Sequence, residues 1–347
     1  SRLILLPKDY IRLKLTGTVA TEPTDANGTM MMDCVSRRWD PELCRALGWD
    51  MDRLPPITEP WAEAGRLRGE LCLRWNTPAS VPVAAGAGDN MACTIGVGAA
   101  RHGDVVITVG TSGVVNAVDR VFHPAPQSAV LTAPHAAPGT FLSQGVVMSA
   151  TASLDWLARL TGTGAAELAR EAEGFAENNN PENAPLMRPS LSGIRTPDNR
   201  PDAGGILDGI TQMTDRPALA YALLEGVAFQ FARCIAAQKQ AGVPFETLQL
   251  VGGGSRSLFW AGLIATVLEQ PLSIPEGAAL AANKGAARLA RIAAGEATTA
   301  ILAARLPAGH TIAVNKAGTG LLRQRMARWQ DLPVNSACGI TGTVRPA

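Results

Sequence analysis

Three short stretches hold residues whose types and spacing could do chemistry. Gly88-Asp89-Asn90 sets a carboxylate between a glycine and an amide just after the apolar run Val81–Ala85. A carboxylate at the mouth of a strand, with room for a ligand to approach, can take the proton from a hydroxyl that attacks phosphorus, and Asn90 could orient that hydroxyl. An Asp-Asn turn that only caps the following helix accounts for the same residues. Gly110-Thr111-Ser112-Gly113 lies between two β-rich runs. Such a turn exposes successive backbone N–H groups and adds hydroxyl donors, which suits phosphate oxygens, although any hairpin can carry a Gly/Ser turn. Gly252-Gly253-Gly254-Ser255-Arg256-Ser257 joins a strand to a helix, where glycines let a flat ligand lie against the backbone and the helix start favours a polar or anionic partner. A plain strand-to-helix turn is the alternative.

Other chemistries lack their parts. Ser257 occupies the place of the last glycine in a GxGxxG fingerprint, and no GxxxxGK[ST] occurs, so ATP would bind by a route other than a P-loop. No GxSxG marks a hydrolase elbow. His102, His123, His135 and His310 are dispersed, without HExxH spacing or a cysteine pair, and no metal ligands are assigned.

These stretches need elements to hold them. Pro7–Leu15 reads as an amphipathic helix closed by Thr16-Gly17, and a Gly28-Thr29 turn followed by a second helical stretch is expected within Asp25–Trp39. A Pro-rich connector covers Leu54–Pro60. Val81–Ala85 reads as a buried strand leading to a small-residue helix, and Val105–Val109 with Val114–Val118 as a hairpin. Apolar residues at 219, 223, 227 and 231 predict a helix over Pro217–Ala237 with one buried face, and Leu248–Val251 is a strand feeding a helix from Leu258. Hairpins mixed with alternating strands and helices indicate an α/β protein with mixed sheets.

Size and charge narrow the function. The 347 residues suffice for two domains, with a boundary expected near 101. Lys+Arg 31 against Asp+Glu 30 leaves a net charge of +1, so neither nucleic acid nor an anionic membrane is an expected partner. No apolar stretch is expected to approach the roughly 20 residues of a bilayer span, since Ala278–Ala294 is broken by charges. Six scattered cysteines without a CxxC pair read as reduced thiols, which points to the cytoplasm.

The order of motifs resembles the FGGY family of carbohydrate kinases over roughly residues 3–315. It is carried by Leu5-Leu6-Pro7-Lys8-Asp9-Tyr10, Leu15-Thr16-Gly17, Asp25 with Gly28-Thr29, Gly88-Asp89-Asn90, Gly110–Gly113, Leu191-Ser192-Gly193 with Arg195-Thr196-Pro197, Leu224-Glu225-Gly226, Gly252–Ser257 and Gly285-Ala286-Ala287. The resemblance implies an actin-like, ribonuclease-H-like two-domain α/β fold with ATP and a sugar meeting between the domains. It implies that Asp89 is the catalytic base and that Asn90 lies beside it at the sugar. Gly110, Thr111, Ser112 and Gly113 would then meet the ATP phosphates, and Gly252, Gly253, Gly254 and Ser255 the adenosine. Thr151 and Asp155 would be further nucleotide contacts, Mg²⁺ would arrive with ATP, and the chain would form a homodimer.

The expected reaction is phosphorylation of a ketose, D-xylulose being the first candidate. Gluconate, ribulose, erythritol or glycerol as acceptor, or a non-catalytic nucleotide-binding module, are the alternatives. The family's opening strand with its Asp-x-Gly-Thr/Ser loop, and a later Met-His pair, have no counterpart in the sequence. Residues 1–100 are therefore expected to be the remainder of an N-terminal sugar-binding domain whose first part is missing, 101–333 the nucleotide-binding domain and 334–347 an unmatched tail. Turnover by this chain is expected to be poor. Ala282-Asn283-Lys284-Gly285-Ala286-Ala287 departs from the usual Pro-Ala-x-Gly-Ala-Ala, and an altered adenine end is expected there.

Overall fold

A computed structural model describes residues 3–335. The helices are α1 Pro7–Thr16, α2 Pro23–Ala26, α3 Pro41–Ala46, α4 Gly69–Trp75, α5 Asp89–Gly96, α6 Thr151–Thr161, α7 Ala165–Asn178, α8 Arg216–Gln240, α9 Leu258–Leu268, α10 Ala281–Ala293 and α11 Lys316–Gln330. The strands are β1 Met32–Asp33, β2 Arg38–Trp39, β3 Glu63–Arg66, β4 Pro82–Ala84, β5 Asp104–Val109, β6 Gly113–Asp119, β7 Leu131–Pro134, β8 Phe141–Val147, β9 Leu186–Arg188, β10 Ile206–Asp208, β11 Thr247–Val251, β12 Leu272–Pro275 and β13 Ala308–Ile312.

Seven strands form one mixed sheet in the order β13-β12-β11-β5-β6-β8-β7. At its centre β5 pairs antiparallel with β6, Val109 opposite Gly113, and parallel with β11, Thr108 opposite Val251. Valine and isoleucine fill β5 because it is covered on both faces. α8 lies against β6 and β8, and two glycines let it come close. A Cβ on Gly113 would stand 2.5 Å from the Phe231 ring, and one on Gly145 would stand 2.8 Å from Cys234 Cβ. A second cluster joins Val118, Ala133 and Leu142 of the sheet to Met91 and Ile95 of α5 and Leu289 of α10.

Helix α1 ends as the sequence suggests, at Gly17 with φ +81°. Four expectations differ. The second helical stretch within Asp25–Trp39 is the β1–β2 hairpin instead, turned by Arg37 at φ +57°, and only Pro23–Ala26 with the short 3₁₀ turn Asn27–Thr29 is helical. Val81–Ala85 is not a fully buried strand, because β4 is half-buried and pairs only with β3. α8 is buried on nearly all its faces rather than one, since α7 and α9 also flank it and alanines fill the positions between its large side chains. Its 25 residues are long and apolar enough to cross a bilayer, contrary to expectation, but 83% of its apolar window is enclosed by the protein, as in a core helix.

One buried ion pair ties α8 to α11. Arg325 contacts both oxygens of Glu225, at 2.6 and 2.7 Å, and spends its remaining donors on the carbonyls of Glu182, Ala184 and Pro185. Both side chains are 1% exposed. Arg325→Met strands the Glu225 carboxylate and is expected to lower unfolding free energy by about 3–5 kcal/mol in urea denaturation. Arg323→Met, two residues away on the solvent-exposed Arg323–Glu269 pair, is expected to leave the midpoint unchanged.

Candidate active site

Asp89 is the first residue of α5, and its side chain is exposed. Gly88 is the N-cap and supplies no side chain, and among the described residues the Asp89 carboxylate accepts only from its neighbour, the Asn90 N–H at 2.7 Å and Nδ2 at 3.2 Å. It is therefore not a buried helix cap. Free electron pairs remain at the positive end of a helix, where negative charge is stabilised. The approach loop is pinned by the Gly88 N–H donating to Thr24 Oγ1 at 2.8 Å.

Charged groups that motif spacing gave no role surround this point. Lys8 Nζ lies 2.8 Å from Asp9, 3.1 Å from Glu22 and 3.7 Å from Asp25. Arg12 meets Asp9 at 3.0 Å, and Thr21 Oγ1 donates to Asp9 at 2.6 Å. Burial raises the Asp25 carboxyl above its ordinary range, Lys8 opposes this, and Asp9 and then Asp89 push it further up. Burial likewise raises Glu22, against Lys8 and the N–H of Thr24. Asp89 thus faces Asp25 within a group of four carboxylates and two cations. The signal available in the sequence was the density of charge in Pro7-Lys8-Asp9 and Glu22-Pro23-Thr24-Asp25 within otherwise apolar surroundings.

α5 is fixed by α10. A Cβ on Gly96 would lie 1.8 Å from the Ala281 carbonyl oxygen, and one on Gly285 would lie 1.9 Å from that of Ala92, so the two backbones touch at these glycines. Arg288 of α10 reaches back to the carbonyls of Ile95, Leu302 and Ala304 and holds the far end of α5. Ala282–Ala287 therefore packs against α5. It is not among the residues that line the cleft described below.

One turn along α5, Cys93 sits beside Asp89 and Thr108, its thiol pushed up to about 11 chiefly by burial. Thr108 lies on β5, two residues before Gly110. Through this contact α5 borders β5 near the strand's end.

There the two glycine turns meet. β5 and β11 run parallel side by side, so Gly110–Gly113 and Gly252–Gly254 leave the same edge of the sheet. Gly252 has φ +91°, and a Cβ there would lie 2.7 Å from the Val109 carbonyl oxygen. Gly110 N–H donates to Ser112 O and closes the turn. Thr111 and Ser112 are exposed, and among the described residues their N–H groups find no backbone acceptor. The Thr151 N–H donates to Gly110 O at 2.9 Å, which seats α6 on this turn.

Beside the turns lies a cleft of about 620 Å³ between α6, α7 and the Gly253–Trp260 segment, lined among others by Thr151, Leu154, Arg170, Gly253, Gly254 and Phe259. That volume suits a nucleoside. Ser255 is buried, its Oγ turned back on Gly252 O at 2.7 Å, and Asp155 is exposed on α6 outside the cleft lining.

Residues 1–96 match the N-terminal domain of the FGGY family of carbohydrate kinases and residues 105–294 its C-terminal domain. The chain is 38% identical over 292 residues to a xylulose kinase of Escherichia coli K12, covering 84% of this chain and 60% of the relative. It superposes on the crystal structure of a xyloylose kinase from Brucella ovis with TM-score 0.89 and 38% identity, over 95% of this chain and 67% of that one. A Plasmodium falciparum glycerol kinase solved with ADP shares the fold, with TM-score 0.81 and 20% identity over 94% of this chain and 65% of that one. The chain thus spans about 60% of the length of the curated relatives it matches.

Proposed function

Because the chain belongs to the FGGY family of carbohydrate kinases, with its α/β actin-like fold, we propose that it transfers the γ-phosphoryl group of ATP to a sugar hydroxyl, D-xylulose giving D-xylulose 5-phosphate. The observation that carries this reading is the free carboxylate of Asp89 at the start of α5, bordering the strand end from which both glycine turns emerge. The choice of xylulose rests on the names of the 37–38% identical relatives.

In this reading the N-terminal unit, to about residue 100, presents Asp89 and Asn90 to the sugar, and the unit from 101 to 333 holds the nucleotide. Asp89 accepts the proton as the hydroxyl oxygen bonds to the γ-phosphorus, the bond from that phosphorus to the β–γ bridging oxygen breaks, and ADP departs. The free N–H groups at Thr111 and Ser112, between Gly110 and Gly113, receive phosphate oxygens, where such donors are worth most because charge accumulates there. Gly253 and Gly254 form the floor of the adenosine cleft and Thr151 part of its wall, Gly252 and Ser255 shape the turn that presents them, and Asp155 on α6 lies outside the lining.

Mg²⁺ is part of the proposal only as the companion of ATP. Among the described residues no three His, Cys, Asp or Glu side chains gather to hold a metal, and no step above depends on one. A cytoplasmic setting fits the free thiols of Cys34, Cys44, Cys72, Cys93 and Cys234, and association as a homodimer is carried over from the resemblance alone.

A second reading is a nucleotide-binding module without catalysis. Coupled ADP release with D-xylulose, gluconate, ribulose, erythritol and glycerol, together with calorimetric titration of ATP, separates the two. Release that depends on xylulose supports the kinase, and ATP binding without response to any of these acceptors supports the module.

The nucleotide cleft has its own test. A Cβ on Gly253 meets nothing within 4 Å, so Gly253→Val costs no packing and projects into open space at the cleft. ATP affinity is expected to fall tenfold or more, about 1.4 kcal/mol, with the thermal midpoint unchanged. Equal affinity in calorimetry would remove adenosine from this cleft.

A further inference from the structure

The segment following β9 contains Leu191-Ser192-Gly193 and Arg195-Thr196-Pro197, a motif to which the kinase reading gives no task. It is stitched to the sheet beside the nucleotide side: Thr196 N–H donates to Val146 O, Val146 N–H donates to Thr196 Oγ1 at 3.0 Å, and Thr196 Oγ1 donates to Ala129 O at 2.9 Å. Between this segment, the end of β8, α8 and Trp329 lies a small void of about 10 Å³, bordered by Arg188, Arg195, Arg233, Gln230 and Met148.

The charges around this void do not balance. Arg188 is 2% exposed, stacks on Trp329 at 4.2 Å and donates from Nη2 to the carbonyls of Trp329, Gln330 and Leu332. Its buried Nε–H has no partner. The carboxylate that acts on it, Asp198, is already held by both terminal nitrogens of Arg233 at 2.6 and 2.8 Å. Arg200, the next cation along the segment, is taken by Asp202. The Arg195 side chain makes no ion pair among the described residues. Three guanidinium groups thus border the void with one carboxylate, Asp198, in reach among the described residues, and Arg188, the buried one of the three, is left without a counter-charge of its own, which is costly.

We propose that this void is a binding site for a small monovalent inorganic anion of chloride size, held between Arg188 and Arg195 with Gln230 beside them. A water molecule would satisfy the orphaned N–H but not the excess positive charge. The void, about 10 Å³, is too small for phosphate and carboxylate ligands and admits a single monatomic anion. A bound anion would fasten the Arg195-Thr196-Pro197 segment to α8 and to the end of β8 that leads into α6.

The test is thermal denaturation of the 347-residue protein at constant ionic strength while sodium chloride replaces sodium methanesulfonate, whose anion is too large for the void. The expected result is a saturable rise of about 2–5 °C in the midpoint, the shift that ligand linkage gives at a large excess over Kd. Arg195 is exposed, so Arg195→Gln is expected to fold normally and to lose the chloride response. Identical midpoints in the two salts would mean that water alone fills the void. An undiminished response in Arg195→Gln would place the anion elsewhere, and either result overturns the proposal.

Discussion

Asp89→Asn is expected to lower xylulose-dependent ADP release by 10²–10⁴ relative to the parent chain while leaving ATP affinity and thermal midpoint unchanged. The size is that of removing a positioned general base, about 3–5 kcal/mol of transition-state stabilisation. The selectivity follows from the geometry, since the carboxylate is exposed and bonded only to its own neighbour, so nothing in the core depends on it. The amide keeps the shape and can accept the same hydrogen bond from Asn90, and only proton acceptance is lost. Steady-state rates matching the parent would remove Asp89 from the chemistry. A drop in midpoint together with rate would make it a structural residue.

The second large effect is expected at the crossing of α5 and α10. Replacing a helix-interior glycine by alanine ordinarily gains about 1 kcal/mol, because the unfolded chain loses freedom and helix propensity rises. Gly320→Ala on α11, where a Cβ meets nothing within 4 Å, is expected to show that gain. Gly285→Ala is expected to do the opposite, losing about 2–3 kcal/mol, because its Cβ would sit 1.9 Å from a backbone oxygen that belongs to another helix. Backbone cannot swing aside as a flexible side chain can, so the helices must part by an ångström or more. Asp89 rides on α5, so turnover should fall more than ATP binding does. Urea denaturation and calorimetry on the three proteins decide this, and a stabilised Gly285→Ala would mean that the helices do not touch.

How far the sequence alone carries can be judged residue by residue. The Gly110–Gly113 hairpin and the Gly252–Ser257 strand-to-helix turn were legible because local backbone demands choose glycine and because apolar runs flank them, valine-rich around the first. The hairpin at 32–39 was not, since two-residue strands leave no periodicity and Arg37 adopts a left-handed φ without the glycine that would announce it. α8 was found as a helix but its burial was misjudged, because alanine is compatible with either a solvent face or a close helix contact and only the packing of α7 and α9 decides which. The charge group around Lys8 escaped assignment for a related reason. Asp9, Arg12 and Glu22 look like surface residues until folding buries them to 1%, 4% and 0% exposure against one another. Contacts such as Arg288 with Ile95, 193 residues apart, leave no local trace.

The most direct measurement is a crystal structure of this chain with a non-hydrolysable ATP analogue and D-xylulose. The expected result is a phosphate oxygen on the N–H groups of Thr111 or Ser112, the adenosine against Gly253 and Gly254, and a sugar hydroxyl about 3 Å from the Asp89 carboxylate, on line with the γ-phosphorus. A nucleotide seated away from both glycine turns, or a sugar held out of reach of Asp89, would contradict it.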